Sequence, residues 1–301
     1  MPEGSSAASP WTDACLAAAL FAVEPALGGI TVRAQPGPVR DAWRDNLRTL
    51  LSPETPQLRV PLHVADNRLL GGLDLTATLR AGRPVAERGL LAAADGGMVI
   101  LAMAERIEPG PAARIGAVLD TGELQIERDG FRLRQPVRIG VVALDEGVSE
   151  DERPPAGLRD RLAFEVDLRQ VGWRDCIADA GFSMQDIDAA RRRLPVVTSD
   201  DPLVEALCAA SIAFGVESLR ASLHALRAAR ASAALDGRDD INADDLALAA
   251  RLVFGPRATR MPMAADETMP EQAPPPEPET DPADNAERDP AQQTPELGEL
   301  T

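Results

Sequence analysis

Short apolar runs alternate with stretches of helical spacing through the first 170 residues. Strands are predicted at Gly29–Ala34, Arg59–Val64, Met98–Met103, Val137–Leu144 and Ala163–Leu168. These runs are continuous and partly β-branched, as strands are when both faces of a sheet are covered. Helical segments such as Ala42–Leu51 lie between them, so the pattern is an α/β fold, a mostly parallel sheet flanked by helices. Between the third and fourth strands, Leu124–Ile126 and Phe131–Leu133 enclose Glu127-Arg128-Asp129-Gly130, where the Asp-Gly pair predicts a β-hairpin.

From Trp173 to Phe254 the spacing becomes helical. Asp200-Asp201-Pro202 opens one helix, with proline in the first turn. Leu203, Leu207, Phe214, Leu219, Leu223 and Leu226 carry an apolar stripe onward until Asp236-Gly237 breaks it. Asn242 is placed to cap a last helix containing Leu246, Leu248 and Leu252, which Gly255-Pro256 ends. Arg191-Arg192-Arg193 suits the C-terminus of a helix, where positive charge favours the dipole; an acidic partner is the other use of such a run. Beyond Arg257 the chain turns to Pro, Glu and Asp, including Pro274-Pro275-Pro276, and offers too little apolar surface to offset the entropy of ordering. The expected organisation is an α/β core over 1–170, a helical domain over 171–257 and a disordered acidic linker over 258–301; an acidic docking arm is the alternative for that last segment.

Charge and cysteine usage narrow the function classes. The net charge is −17, and residues 261–301 hold eleven acids against one arginine, so the basic face of a nucleic-acid binder is missing. All 31 basic residues are arginine. No apolar run reaches the length of a membrane span, and Met1–Pro10 has neither a basic n-region nor an apolar core, so a cytoplasmic protein without a signal peptide is expected. Cys15, Cys176 and Cys208 are scattered and form no Cys-x-x-Cys pair, which predicts buried thiols in a reducing compartment and no metal site. Trp11, Trp43 and Trp173 are expected as core or interface anchors, and no Ser-His-Asp order or Cys-His pair suggests nucleophilic catalysis.

The first strand runs into Ala34-Gln35-Pro36-Gly37-Pro38-Val39-Arg40-Asp41 and then a helix, the setting of a phosphate loop with the pattern Gly-x-x-x-x-Gly-Lys-Ser/Thr. Ala34 and Val39 stand at its glycines, Arg40 at its lysine and Asp41 at its hydroxyl. Val39 disfavours the curled backbone that cradles phosphate, and Pro36 and Pro38 each lack an N–H. Asp41 sets a carboxylate where an anion would bind, and Arg40 keeps the charge but not the shape of lysine. On these residues alone the segment reads as an ordinary Pro-Gly turn. The acidic pair expected after the third strand is also missing: Met98–Leu101 leads to Ala102-Met103-Ala104-Glu105, with Glu105 read as a solvated helix start. Asp145, Glu146 and Glu150-Asp151-Glu152 are read as solvating a loop after the fourth strand.

Several stretches in order resemble the AAA+ modules of magnesium chelatase: Ala22–Ile30, Leu70-Gly71-Gly72-Leu73-Asp74-Leu75, Glu87–Ala94, Glu127–Gly130, Leu158-Arg159-Asp160-Arg161 and Ser218-Leu219-Arg220. The resemblance covers roughly residues 10 to 257, and the erased phosphate loop is closer to the degenerate D subunit than to the ATPase I subunit. It implies an AAA+ core and helical lid. It implies that Arg161 is an arginine finger acting on a neighbouring subunit, and that Arg220 is the second sensor arginine; without the family, Arg161 reads as a surface ion pair and Arg220 as a solvent-facing residue. It implies little or no ATP on this chain, with MgATP held by the I subunit. The implied partners are the I subunit in a mixed, self-associating ring and the porphyrin-binding H subunit, which inserts Mg²⁺ into protoporphyrin IX on the way to (bacterio)chlorophyll. The hairpin resembles a partner-contacting insertion of this branch, or is simply a covered hairpin. The D subunit continues into an integrin-I-like domain with an Asp-x-Ser-x-Ser site; no such motif occurs here, so a fragment or a shortened form is expected. The competing reading is an inactive AAA+ scaffold in a non-chelatase assembly.

Overall fold

A computed structural model describes residues 9–260, apart from 84, 129–130 and 178–180. In chain order its elements are α1 (Pro10–Val23), β1 (Gly29–Arg33), α2 (Pro38–Thr49), β2 (Gln57–Val60), α3 (Asp66–Leu70), β3 (Gly71–Leu73), α4 (Leu75–Ala81), β4 (Ala86–Arg88), α5 (Leu90–Ala93) and β5 (Met98–Ala102). Then follow α6 (Pro109–Thr121), β6 (Glu123–Arg128), β7 (Phe131–Pro136), β8 (Gly140–Asp145), α7 (Ala156–Arg159) and β9 (Phe164–Asp167), and the helices α8 (Met184–Arg193), α9 (Asp201–Ala213), α10 (Leu219–Leu235) and α11 (Ala243–Ala249).

The five apolar runs form one sheet in the order β2-β5-β8-β1-β9, with every neighbouring pair parallel. Its central strand β8 is buried throughout and feeds both faces, as a fully covered parallel strand must. Val142 and Leu144 join the core built with α1, α2 and α8–α11; Val141 and Ala143 join the core under α5, α6 and the β6–β7 hairpin. The helical segment thus shares one core with the sheet. The hairpin pairs Glu123–Arg128 with Phe131–Pro136, and its Asp-Gly turn lies outside the described residues. Helix α1 is buried along most of its length, and the Trp43 indole of α2 donates to its Ala14 carbonyl at 2.9 Å.

Several expectations need correction. Strand β2 ends at Val60, because Pro61 has no N–H to continue the ladder; β8 starts at Gly140, after the Val137 N–H has gone to the Gly122 carbonyl. The apolar stripe after Leu203 belongs to two helices, divided where Gly215 takes a φ of 65°. The change of axis turns Leu219 and Leu223 outward, 83% and 57% exposed. Of the three thiols only Cys15 is buried; Cys208 sits one position off the Leu207–Ser211 face of α9 and is exposed. Trp11 and Trp43 are core residues, but Trp173 lies in the open. The Asn242 cap is present: its side chain accepts from the Asp245 N–H, and Asp245 returns the bond to the Asn242 N–H. Residues 261–301 lie outside the described residues, and no described helix is long and apolar enough to cross a membrane.

One glycine ties the sheet to the segment carrying Arg161. Gly28 has a φ of 78°, and a Cβ there would lie 2.0 Å from the Arg161 carbonyl oxygen. Gly28→Ala therefore combines backbone strain with a backbone clash. It is expected to cost about 3 kcal/mol, read from chemical denaturation.

Candidate functional site

All five strands point the same way, so the sheet has a C-terminal end and an N-terminal end. The loop Ala34–Asp41 leaves the C-terminal end of β1 and enters α2 at Pro38. There the Ala34 N–H is already given to the Asp145 carbonyl at 3.0 Å, and Gly37 is extended. The polar side chains around the loop are bonded to one another and to the Glu146 backbone. The Arg40 guanidinium donates to Glu146 Oε1 at 2.7 Å, and Gln35 donates to the Glu146 carbonyl at 2.6 Å. The Glu146 N–H is held by Glu105 Oε2 at 2.9 Å.

Beside this pair lies a deeper one. Arg33, the last residue of β1, and Asp145, the last of β8, are 1% and 0% exposed. Arg33 Nη1 donates to Asp145 Oδ2 at 3.2 Å and to the Glu152 carbonyl at 3.3 Å, while Nη2 donates to the Ser149 carbonyl at 2.5 Å. The buried guanidinium thus fixes both the sheet end and the loop after β8. A cleft of about 350 Å³ remains between Ala34–Val39, Gly147-Val148 and Leu168–Val171.

At the other end of the sheet, Arg161 precedes β9. Its side chain runs over Gly116 of α6, where an added Cβ would lie 3.1 Å from the Arg161 Cδ and Nε. One helical turn on, Asp120 receives the guanidinium: Nε and Nη2 both donate to Oδ2, at 2.9 and 2.5 Å. Nη1 donates to the Gly157 carbonyl at 2.5 Å. Arg220, on the first turn of α10, comes to the same carboxylate, with Nη1 2.9 Å from Asp120 Oδ1. Its Nε donates to Asp160 Oδ2 at 3.1 Å, and the Ser218 hydroxyl donates to Asp160 Oδ1 at 2.6 Å. Burial alone would raise the Asp160 pKa, but the Ser218 and Arg220 hydrogen bonds outweigh it and hold the carboxyl below its usual range.

Two arginines chosen from distant parts of the sequence therefore converge on one carboxylate. β1 separates them from the loop at 34–41: the backbone beside Arg161 packs on Gly28, before the strand, and the loop starts after it. Five residues of strand span about 16 Å. Arg161 thus lies about a strand length away from the 34–41 loop of its own chain, and Arg220 lies beside it.

Residues 204–278 match the family model of the AAA lid domain. The chain is 38% identical over 263 residues to the magnesium-chelatase 60 kDa subunit of Cereibacter sphaeroides, covering 87% of this chain and 43% of that one. It is 30% identical over 244 residues to the magnesium-chelatase 38 kDa subunit of Rhodobacter capsulatus, covering 73% and 69%. The chain belongs to the magnesium-chelatase subunit family. It spans less than half the length of the 60 kDa relative. A crystal structure of a candidate ATPase from Cytophaga hutchinsonii aligns over 78% of each chain with a TM-score of 0.57 at 15% identity, a likeness of fold.

The AAA+ fold implies a magnesium nucleotide at the C-terminal end of the sheet, and the residues of this family member do not fit one. Arg40 is committed to Glu146, the Ala34 N–H to Asp145, and Pro36 and Pro38 have no N–H to give. Asp145 and Glu146, read as solvating a loop, and Glu105, read as a solvated helix start, are not solvated in that way. Asp145 is buried against Arg33, Glu146 pairs with Arg40, and the Glu105 side chain is 4% exposed. A buried cation needs a buried anion, and these carboxylates supply it. Arg220 is likewise ion-paired rather than merely solvent-facing, and Asp160 pairs with Arg220 instead of its neighbour Arg161. Sequence reasoning missed Asp120, which no motif marks.

Removing the carboxylate of Asp145 leaves the buried Arg33 with only the largely exposed Glu150, 3.9 Å from its Nη2, as an anion. Asp145→Ala is expected to cost about 3–5 kcal/mol in chemical denaturation. One turn beyond Arg220, His224 is buried with neither ring nitrogen partnered among the described residues. Burial, then the charges of Arg257, Arg227 and Arg220, push its pKa down to about 4. The folded chain resists protonation that the unfolded chain accepts near 6.5, so stability held above 6.5 is lost as pH falls toward 4. His224→Leu is expected to reduce the loss of stability between pH 7 and pH 5 by about 2 kcal/mol, measured by denaturation at both pH values.

Proposed function

We propose that this chain is a non-hydrolysing AAA+ subunit of magnesium chelatase, working in the cytoplasm in a ring with the ATPase I subunit. It binds little or no nucleotide itself. It turns the end bearing Arg161 and Arg220 toward the MgATP site of a neighbour, where the Arg161 guanidinium stabilises charge on the transferring phosphoryl group. Arg220 joins it as a second donor. The assembly drives the H subunit to insert Mg²⁺ into protoporphyrin IX, so the chain serves as part of a ligase forming metal–nitrogen bonds.

The observation that carries this reading is the placement of two arginines a full strand length from a pocket already filled with ion pairs. An arginine pair that cannot reach its own loop serves a site on another subunit or none. Arg220 also stands beside Leu219 and three residues before Leu223, both exposed, and apolar groups next to a charge cluster suit a protein contact. The relatives' names supply the chelatase context, and the 38 kDa relative covers the same AAA+ span.

The test is Arg161→Ala in the reconstituted complex with the ATPase subunit. Turnover of MgATP at each neighbouring site that the arginine completes is expected to fall by roughly 10³-fold, while the variant, which loses only a partly exposed ion pair, still folds and assembles. Wild-type turnover with a correctly assembled ring removes the trans role and leaves a scaffold.

A further inference from the structure

Resting on that reading, we propose that Asp120 is a positioning residue, the anion that holds Arg161 and Arg220 as one convergent donor pair. Two guanidiniums brought together repel each other and splay unless a negative charge lies between them. Asp120 lies there, and its two oxygens are divided: Oδ2 takes Nε and Nη2 of Arg161, and Oδ1 takes Nη1 of Arg220. The side-on grip on Arg161 uses one edge of that guanidinium, and the Gly157 carbonyl fixes Nη1. Among the described residues, Arg220 Nη2 has no partner. The pair therefore keeps donors for an outside anion while its spacing is set from within.

The track that brings Arg161 to Asp120 is built into α6. Gly116 and Asp120 are four residues apart, on one face of the helix, so the missing side chain at 116 makes room for the arginine stem and the carboxylate at 120 receives its head. Arg220 has its own partner in Asp160, so the carboxylate of Asp120 is not needed to neutralise it. What Asp120 adds is the geometric link between an arginine of the sheet and an arginine of α10. The Asp120–Arg161 pair is only partly exposed, 29% and 26% by side chain, so screening by salt does not erase the link.

The experiment is a double-mutant cycle on MgATP turnover by the reconstituted complex, using Asp120→Asn, Asp120→Glu, Arg161→Ala and the pair D120N/R161A. Asp120→Asn is expected to lower the maximal rate about tenfold while the concentration of this chain needed for half-maximal rate changes by less than about twofold. Asp120→Glu, which keeps the charge, is expected to recover at least about half of the lost rate. In the Arg161→Ala background, Asp120→Asn is expected to have a much smaller effect, because its main action runs through Arg161 and Arg220 keeps Asp160 as a partner. If D120N turns over at the wild-type rate while R161A is impaired, or if the two losses multiply, the positioning role is overturned and the trans reading stands. If R161A itself is silent, the trans reading falls and takes this inference with it.

Discussion

The arrangement depends on the common direction of the five strands. Because β2, β5, β8, β1 and β9 are all parallel, each C-terminal end lies on one side and each N-terminal end on the other. Backbone dipoles, loops and the start of α2 gather at the first side, which is where a nucleotide binds in an open α/β sheet. The segment before β9 is delivered to the second side by the same rule. A chain folded this way can lose its own nucleotide chemistry at one end without disturbing the arginine at the other.

What happens at the emptied end follows from the cost of buried charge. A phosphate loop concentrates cationic and anionic groups that are mutually compensated only when nucleotide and metal are present. Here Arg33 is almost fully buried and Arg40 is largely so, and each has gained a carboxylate from the strand end opposite: Asp145 for one, Glu146 for the other. Glu105 is drawn in as well, through the Glu146 N–H. The arginines at this end are paired with its own carboxylates, and a triphosphate placed in the remaining cleft would face those carboxylates.

The parts legible in the sequence were those set by local periodicity or by a recognisable motif. Ile30, Val32 and their equivalents in β5 and β9 announce buried strands because a two-sided sheet needs continuous apolar runs. The Asn242 cap and the disrupted loop at 34–41 are also local. The short ribbon β3–β4 was not seen, since three-residue strands, one of them wholly exposed, carry no periodicity. Partners far apart in sequence were invisible for a different reason: Arg33 and Asp145 are 112 residues apart, and Arg220 and Asp120 are 100 apart. Leu219 and Leu223 misled because the spacing of an apolar stripe does not say whether it faces a core or a partner.

The helical segment and the sheet are joined where the two arginines meet, and this makes the position of one depend on the other. Arg257, after the last helix, donates to the carbonyls of Leu162 and Ala163, immediately behind Arg161. Arg220, at the head of α10, is bound to Asp160 and Asp120, immediately before and below it. The backbone carrying Arg161 is thus gripped from two points of the helical segment, and its guanidinium is gripped from α6. A displacement of α10 against the sheet changes Arg220 and Arg161 together, since both hydrogen-bond one carboxylate. These bonds link the helical segment and the segment before β9 through one carboxylate and two backbone carbonyls.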